Sequence, residues 1–276
     1  VLVVTFSKAD ADELKRKEIC LTADSCFLAL ASTTIADMSR RPLVAVETTA
    51  ARQAANLIDD TTSPTLVAFE LFDYNLNIAT LSFSEPVDPT TISPTAIELY
   101  ASAAAVAARN DQTQYALTNG STSSARGDTI NVTFAAADMH AIKQRRNLCT
   151  LGFNCHIRIG SVFADAFGNP SVTIPESGQA ILVDELNRDT IGAALISFDL
   201  DLIADTMTFT FNEPVRALEL ESTKITLRSS ADVATSLNYE LSGAARNSGL
   251  ANDGLVSQIY LELADVLAIK ATLNLG

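Results

Sequence analysis

Tryptophan is absent from this 276-residue chain, and histidine occurs only twice, methionine three times and cysteine four times. The two histidines are not spaced as a metal-binding pair, and no indole is available to a ligand-binding groove. Basic residues are also scarce. Nineteen Lys and Arg stand against 33 Asp and Glu, giving a net charge of −14 and a pI near 4.5, which excludes nucleic acid as a natural partner. No apolar run approaches the ~20 residues needed to cross a bilayer as a helix. The Ala-rich YASAAAVAA at 100–108 is too short, and its counterpart further on, RSSADVATS at 228–236, is polar. An initiator methionine and a secretory leader are missing, as expected of a segment that opens in mid-domain. There is no Gly-rich phosphate loop, nucleophile elbow or metal-binding His pair, so no enzyme is expected.

What the chain does have is self-similarity, the first property to test in any sequence. TLSFSEPVD at 80–88 returns as TFTFNEPVR at 208–216, with Phe83 and Phe211 separated by 128 residues (211 − 83). The same offset joins Phe6 to Phe134, Asp37 to Asp165 and Pro42 to Pro170, while Cys20 and Cys149, and Cys26 and Cys155, are offset by one more. IELY at 97–100 matches ITLR at 225–228, YALT at 115–118 matches YELS at 239–242, and MHAIK at 139–143 matches VLAIK at 266–270. A unit of roughly 128 residues is large enough to bury its own core, so each copy reads as a domain rather than a solenoid turn. The phase predicts the C-terminal half of a domain over 1–60, a complete domain over 61–189 and the N-terminal part of a third over 190–276, a window on a longer array. The joins DDTTSPTL (59–66) and NRDTIGAAL (187–195) are short and lack a Gly/Ser linker, which favours a stiff rod.

Within the complete unit, alternation with a period of two appears at 66–72, 79–84, 96–100, 114–118, 130–134, 156–160 and 172–174. Such alternation places one face in a core and the other in water. In INVTF the inward set is Ile130, Val132 and Phe134, and in TLSFS it is Leu81 and Phe83. Seven short strands with Pro, Asp, Gly and Ser turns predict an all-β, two-sheet sandwich. One stretch, AAADMHAIKQRRNL at 135–148, instead predicts a short amphipathic helix, with Met139, Ile142 and Leu148 apolar, Asp138 early, and Arg145 and Arg146 late. Asp165, Gly168 and Pro170 in VFADAFGNP predict a tight turn. Glu85 and Glu213, one per unit, are expected to start a turn before the following proline. His140 and His156 have Asp12 and Phe27 at the matching positions, and both read as surface residues.

These phrases resemble a known family, the bacterial-type Ig-like domains of surface-layer proteins, large adhesins and giant surface repeat proteins. Glu85-Pro86-Val87, Glu213-Pro214-Val215, Asp165, Gly168, Asn169 and Pro170 carry the resemblance. The helix segment and the Cys pairs look like elaborations similar to those of long repeat proteins on algae and other protists. The resemblance implies tandem Ig-like β-sandwich domains, each with a short inserted helix, together with secretion and structural or adhesive work. One copy departs from it, since ADMSRRP at 36–42 stands where the next has ADAFGNP.

Cys20 with Cys26, and Cys149 with Cys155, occupy equal repeat positions, which favours one local disulfide in each copy and hence an oxidising, extracellular setting. Free thiols and a four-Cys zinc site are the competing readings, and the latter lacks the usual ligand spacing. Asn119-Gly120-Ser121 and Asn131-Val132-Thr133 are candidate N-glycosylation sequons. Asp59, Asp60 and Asp189 at the joins are candidate calcium ligands, although the usual dense Asp-x-Asp clusters are missing; otherwise no cofactor is expected. The expectation is therefore a structural segment of a large extracellular or cell-surface protein, such as a stalk, surface layer or flagellar-hair-like filament. Its expected partners are copies of itself or other surface proteins. The alternative is an adhesin that binds a glycan or protein ligand through its loops.

Overall fold

The structure is a computed structural model, and it describes residues 2–103, 112–175, 178–231, 236–246 and 253–273. Most of the Ala-rich stretch at 100–108 and Gly276, the third-copy residue nearest the expected first cysteine, lie outside the described residues. The chain divides into two units. The first comprises Val1–Met139 and Arg145–Asp189, and the second comprises His140–Gln144 and Thr190–Gly276.

The protein is β-rich, with several sheets and few helices. In chain order the first unit begins with α1 (Lys8–Arg16), β1 (Phe27–Leu28), β2 (Arg52–Gln53), β3 (Leu66–Asp73) and β4 (Ile78–Asp88). There follow β5 (Ile97–Tyr100), β6 (Gln114–Ala116), β7 (Gly120–Ser121), β8 (Gly127–Phe134) and α2 (Ala136–Lys143), whose last residues group with the second unit. β9 (His156–Ile159), β10 (Ala164–Asp165) and β11 (Ile181–Asn187) complete the first unit. The second unit adds β12 (Leu195–Asp201), β13 (Thr206–Val215), β14 (Thr226–Arg228), β15 (Asn238–Glu240), β16 (Ala244–Arg246), β17 (Gly254–Leu261) and α3 (Leu263–Leu273).

In the first unit the strand order is β6-β5-β9-β11-β3-β4-β8-β7, with β10 added to the end of β4. β11 changes partner along its length. Ile181 and Leu182 pair antiparallel with β9, whereas Val183 to Asn187 run parallel to β3. One strand thus joins the β3-β4-β8 ladder to the β5-β9 ladder. The alternating strands bury the expected faces, including Leu81 and Phe83 on β4 and Ile130, Val132 and Phe134 on β8. Phe72 packs edge-on against Tyr74, with ring centroids 4.9 Å apart, and tilted against Phe134 at 5.5 Å. The second unit has the order β12-β13-β17-β16, with β14 and β15 forming a separate pair. Met207, Phe209, Leu241, Ile259, Leu261, Val266 and Ile269 form its core.

Three local expectations change. The helix at 135–148 ends at Lys143, because the chain must turn back into the small ring closed by Cys149, whose φ is +51°. Residues 172–174 form no ladder. The Val172 amide donates to the Pro64 carbonyl and the Ile174 amide to the Ile159 carbonyl, so this stretch straddles two different partners. The Glu-Pro-Val phrase does not leave its strand for a turn at the glutamate. β4 continues through it to Asp88 across a register shift between Ser82 and Val87, and β13 runs through it to Val215 across a shift between Thr210 and Val215.

Candidate functional site

That shift turns Glu85 and Glu213 inward. Both are buried, and both meet a lysine 70 residues upstream, Lys15 on Glu85 and Lys143 on Glu213. The recurring glutamate is therefore half of an ion pair rather than the start of a turn. α1 delivers Lys15 by ordinary helix chemistry. The Ser7 hydroxyl caps the first turn by accepting from the Asp10 amide at 3.1 Å, and Lys15 and Arg16 occupy the last turn, where cations suit the helix dipole.

Lys15 also pairs with Asp60, and one oxygen each from Asp60, Glu85 and Asp165 lie within 4.8 Å of one another. Burial pushes the Glu85 carboxyl above its ordinary value, with Lys15 pulling it partway back. For Asp60, burial acts upward, but the Lys15 contact and the Thr62 amide outweigh it and hold the carboxyl low. Burial likewise acts against the Lys15 ammonium, yet Asp60 and Glu85 together raise its pKa. Asp165 is committed locally. Its Oδ1 accepts from the Phe167 and Asn169 amides at 2.9 and 2.8 Å, and its Oδ2 from Asn169 Nδ2 at 2.9 Å. Asn169 Nδ2 further donates to the Asp60 carbonyl at 2.9 Å, tying the 59–66 join to the turn. Asp59 and Asp189, the other acids considered for calcium, are not part of this cluster.

The turn itself survives the sequence departure noted above. Asp37 accepts from the Ser39 and Arg41 amides at 2.8 Å each, as Asp165 does at its own turn. Arg40 at φ +61° stands where the other copy has Gly168 at +87°. Glycine adopts that conformation without the steric cost an arginine carries.

A second polar assembly escaped the sequence reading. Asp138, in the first turn of α2, is fully buried. It accepts from the Tyr115 hydroxyl at 2.6 Å, the Thr118 hydroxyl at 2.6 Å, and the Thr118 and Asn119 amides at 3.1 and 3.0 Å. Burial acts to raise this carboxyl, and its four donors overcome that and hold it low. The Tyr115 hydroxyl is pushed up to about 12 by burial and by its bond to Asp138. In the second unit Asp265 accepts from the Tyr239 hydroxyl at 2.7 Å and from the Ser242 amide and hydroxyl at 2.9 and 2.8 Å. The signal was present in the aligned YALT and YELS phrases, each followed by an aspartate in the first turn of a helix.

Cys20–Cys26 and Cys149–Cys155 are disulfides. A loop this small limits the unfolded chain only modestly. Cys149→Ser with Cys155→Ser should cost about 2–2.5 kcal/mol, read as a fall in the denaturation midpoint of the first unit. Asn119 and Asn131 are both exposed. Asn119 Oδ1 accepts from the Gly120 amide, and Asn131 Oδ1 accepts from the Thr80 hydroxyl across the β4–β8 ladder. His140 is half-buried on α2. His156 is buried on β9 rather than exposed, because that strand lies between β5 and β11. Burial lowers its pKa, so its neutral form is favoured in the fold.

No known protein family, curated protein or solved structure matches the chain. Among the described residues, no helix is long and apolar enough to cross a membrane.

Proposed function

We propose that the chain is a structural segment of a large extracellular surface or filament protein, built from tandem Ig-like β-sandwich domains of about 128 residues. The observation that carries this reading is that non-local polar devices recur in matching phrases of the sequence. Lys15–Glu85 is matched by Lys143–Glu213, and the clamp on Asp138 by the clamp on Asp265. Backbone specials recur too, with positive φ at Asn77 and Asp205, at Cys20 and Cys149, and at Arg40 and Gly168. Such features are expensive to keep unless each copy folds in the same way. Two disulfides suit an oxidising compartment, and the acidic, tryptophan-free surface suits mechanical rather than ligand-recognition work.

The reading assigns neither catalysis nor a cofactor. Lys15 supplies the positive charge that a cation would bring to Asp60 and Glu85, so adding calcium or a chelator is expected to leave the thermal midpoint unchanged. A calcium-dependent rise would mark binding to the native state and revive the acidic join as an ion site. Negative-stain images of the native protein should contain rods or polymers. Isolated, well-separated globules would sink the filament reading and favour the adhesin.

A further inference from the structure

We propose that Asn119 is a self-modifying site, at which the Gly120 backbone nitrogen attacks the side-chain amide and converts the residue to aspartate and isoaspartate. The isoaspartate product loosens the fastening of α2 to the first unit.

Asn119-Gly120 is the one Asn-Gly step in the sequence. Glycine at 120 follows from packing. A Cβ there would lie 3.0 Å from the Thr133 carbonyl oxygen and 3.3 Å from Pro94 Cβ, so any larger residue crowds the β7–β8 pair. The ladder also sets the direction of the Gly120 amide. The Phe134 amide donates to the Asn77 carbonyl, so Phe134 turns its backbone groups toward β4. Gly120 lies opposite Phe134. It therefore forms the non-hydrogen-bonded kind of antiparallel pair, and its amide points away from β8. That amide donates instead to Asn119 Oδ1 at 2.7 Å. The carbon to be attacked, Cγ, is bonded to this oxygen, so the nitrogen starts close to the about 3–3.5 Å of a near-attack arrangement. Gly120 has no side chain to obstruct the approach, and Asn119 is exposed, which gives water access to the ring that forms.

The reaction needs no oxidant or reductant. Hydroxide removes the Gly120 amide proton, and the nitrogen uses the freed electron pair to bond Asn119 Cγ. The bond from Cγ to the side-chain nitrogen breaks, and that nitrogen leaves as ammonia with a proton from water, which restores the hydroxide. Water then adds to either carbonyl of the resulting succinimide ring. Opening on one side gives aspartate, and opening on the other gives isoaspartate, whose main chain runs through the former side-chain carbon. A glycan on Asn119 would occupy the departing nitrogen, so glycosylation and this reaction compete for the same amide.

The consequence falls on the α2 clamp. The Asn119 amide is one of the donors to Asp138, at 3.0 Å, and Gly120 is held in β7. Isoaspartate inserts an extra methylene into the main chain between these two attachments, so one of them must yield. The asparagine side chain is not itself needed for the clamp. The aligned residue in the second unit is Gly243, whose amide also bonds Asp265.

The test uses the full chain, made without glycan and held at mildly alkaline pH. Peptide masses should show amide-to-acid exchange at Asn119, and the same peptide should accept label from an isoaspartyl methyltransferase. The rate should rise in proportion to hydroxide. Asn131, which is also exposed but precedes a valine, should stay intact, and Asn119→Gln should abolish the labelling. The aged chain should melt below Asn119→Asp in its first unit, because that variant adds the charge without the extra methylene. A folded chain that stays unmodified while the urea-unfolded chain reacts overturns the proposal, since the fold then protects the step. Equal melting of the aged chain and Asn119→Asp overturns the loosening of α2.

Discussion

Lys15→Met is expected to destabilise the first unit by about 2–4 kcal/mol, less than the full cost of orphaning a completely buried charge because Lys15 and Asp60 retain some contact with water. The lysine side chain is isosteric enough with methionine to keep the α1 contacts, so the change reports on charge. It leaves Glu85 buried beside Asp60 and Asp165 with no cation. A fall of about 5–10 °C in the thermal midpoint of the first unit is the matching calorimetric result for a unit of this size. The pH dependence identifies the cause. Glu85 already has a raised folded pKa because it is buried, and losing Lys15 raises it further. A carboxyl with a raised folded pKa binds its proton more readily in the native state, so the variant regains stability as pH falls through that value. The gap between wild type and variant should therefore narrow on mild acidification from neutrality. Lys15→Met with Glu85→Gln should recover most of the loss at neutral pH. A gap that stays constant with pH would show that packing, not charge, sets the effect.

Much of the framework was legible because it is written locally. INVTF alternates, and the structure buries Ile130, Val132 and Phe134 and exposes Asn131 and Thr133. The two Asp-centred turns were readable from Asp165, Gly168 and Pro170, since an aspartate bonding forward amides is a property of a few adjacent residues. The role of Glu85 was not legible in the same way. A proline beside it signals a turn, while its partner Lys15 lies 70 residues upstream on another element. The available clue was recurrence, since Lys15 and Glu85 return together as Lys143 and Glu213 one offset later. β11 was missed because ILVDELN divides its pairing between two ladders, and so carries no single alternation. His156 was misread for the same kind of reason. All four residues of β9 are buried, and Arg158 lies 4.8 Å over the Tyr100 ring, so a polar residue on that strand need not face water.

Both polar assemblies act at the same structural problem, which is how a helix is fastened to a β framework. In the first unit Lys15 fastens the C-terminal end of α1 to the bulged end of β4. Asp138 fastens the N-terminal end of α2 to the loop after β6. Apolar packing alone would hold a helix of eight or nine residues loosely, because so short a helix is marginal by itself. Fixed anchors at its ends define its angle against the strands.

The second large effect follows from this. Asp138→Ala should cost the first unit about 3–5 kcal/mol, because it strips a buried acceptor from two backbone amides and two hydroxyls and leaves several of these donors unsatisfied. Asp138→Asn is the sharper variant. Its side chain keeps nearly the same volume, but its amide offers one accepting oxygen where four donors converge, and it should still lose most of the stability. Acid titration separates the charge from the shape. The folded pKa of Asp138 is held below its unfolded value, so its contribution is fully present above the ordinary carboxylate range and is lost as pH falls through the folded value. Wild type should therefore lose stability on acidification more steeply than Asp138→Asn, and the two curves should converge at low pH. At the alkaline end, Tyr115 keeps its proton to about 12 in the fold, above the unfolded value near 10. Stability should consequently decline as pH rises past the unfolded tyrosine value, and Tyr115→Phe should flatten that decline. Parallel acid curves for wild type and Asp138→Asn would mean that the carboxylate charge is not what holds α2 to the sheet.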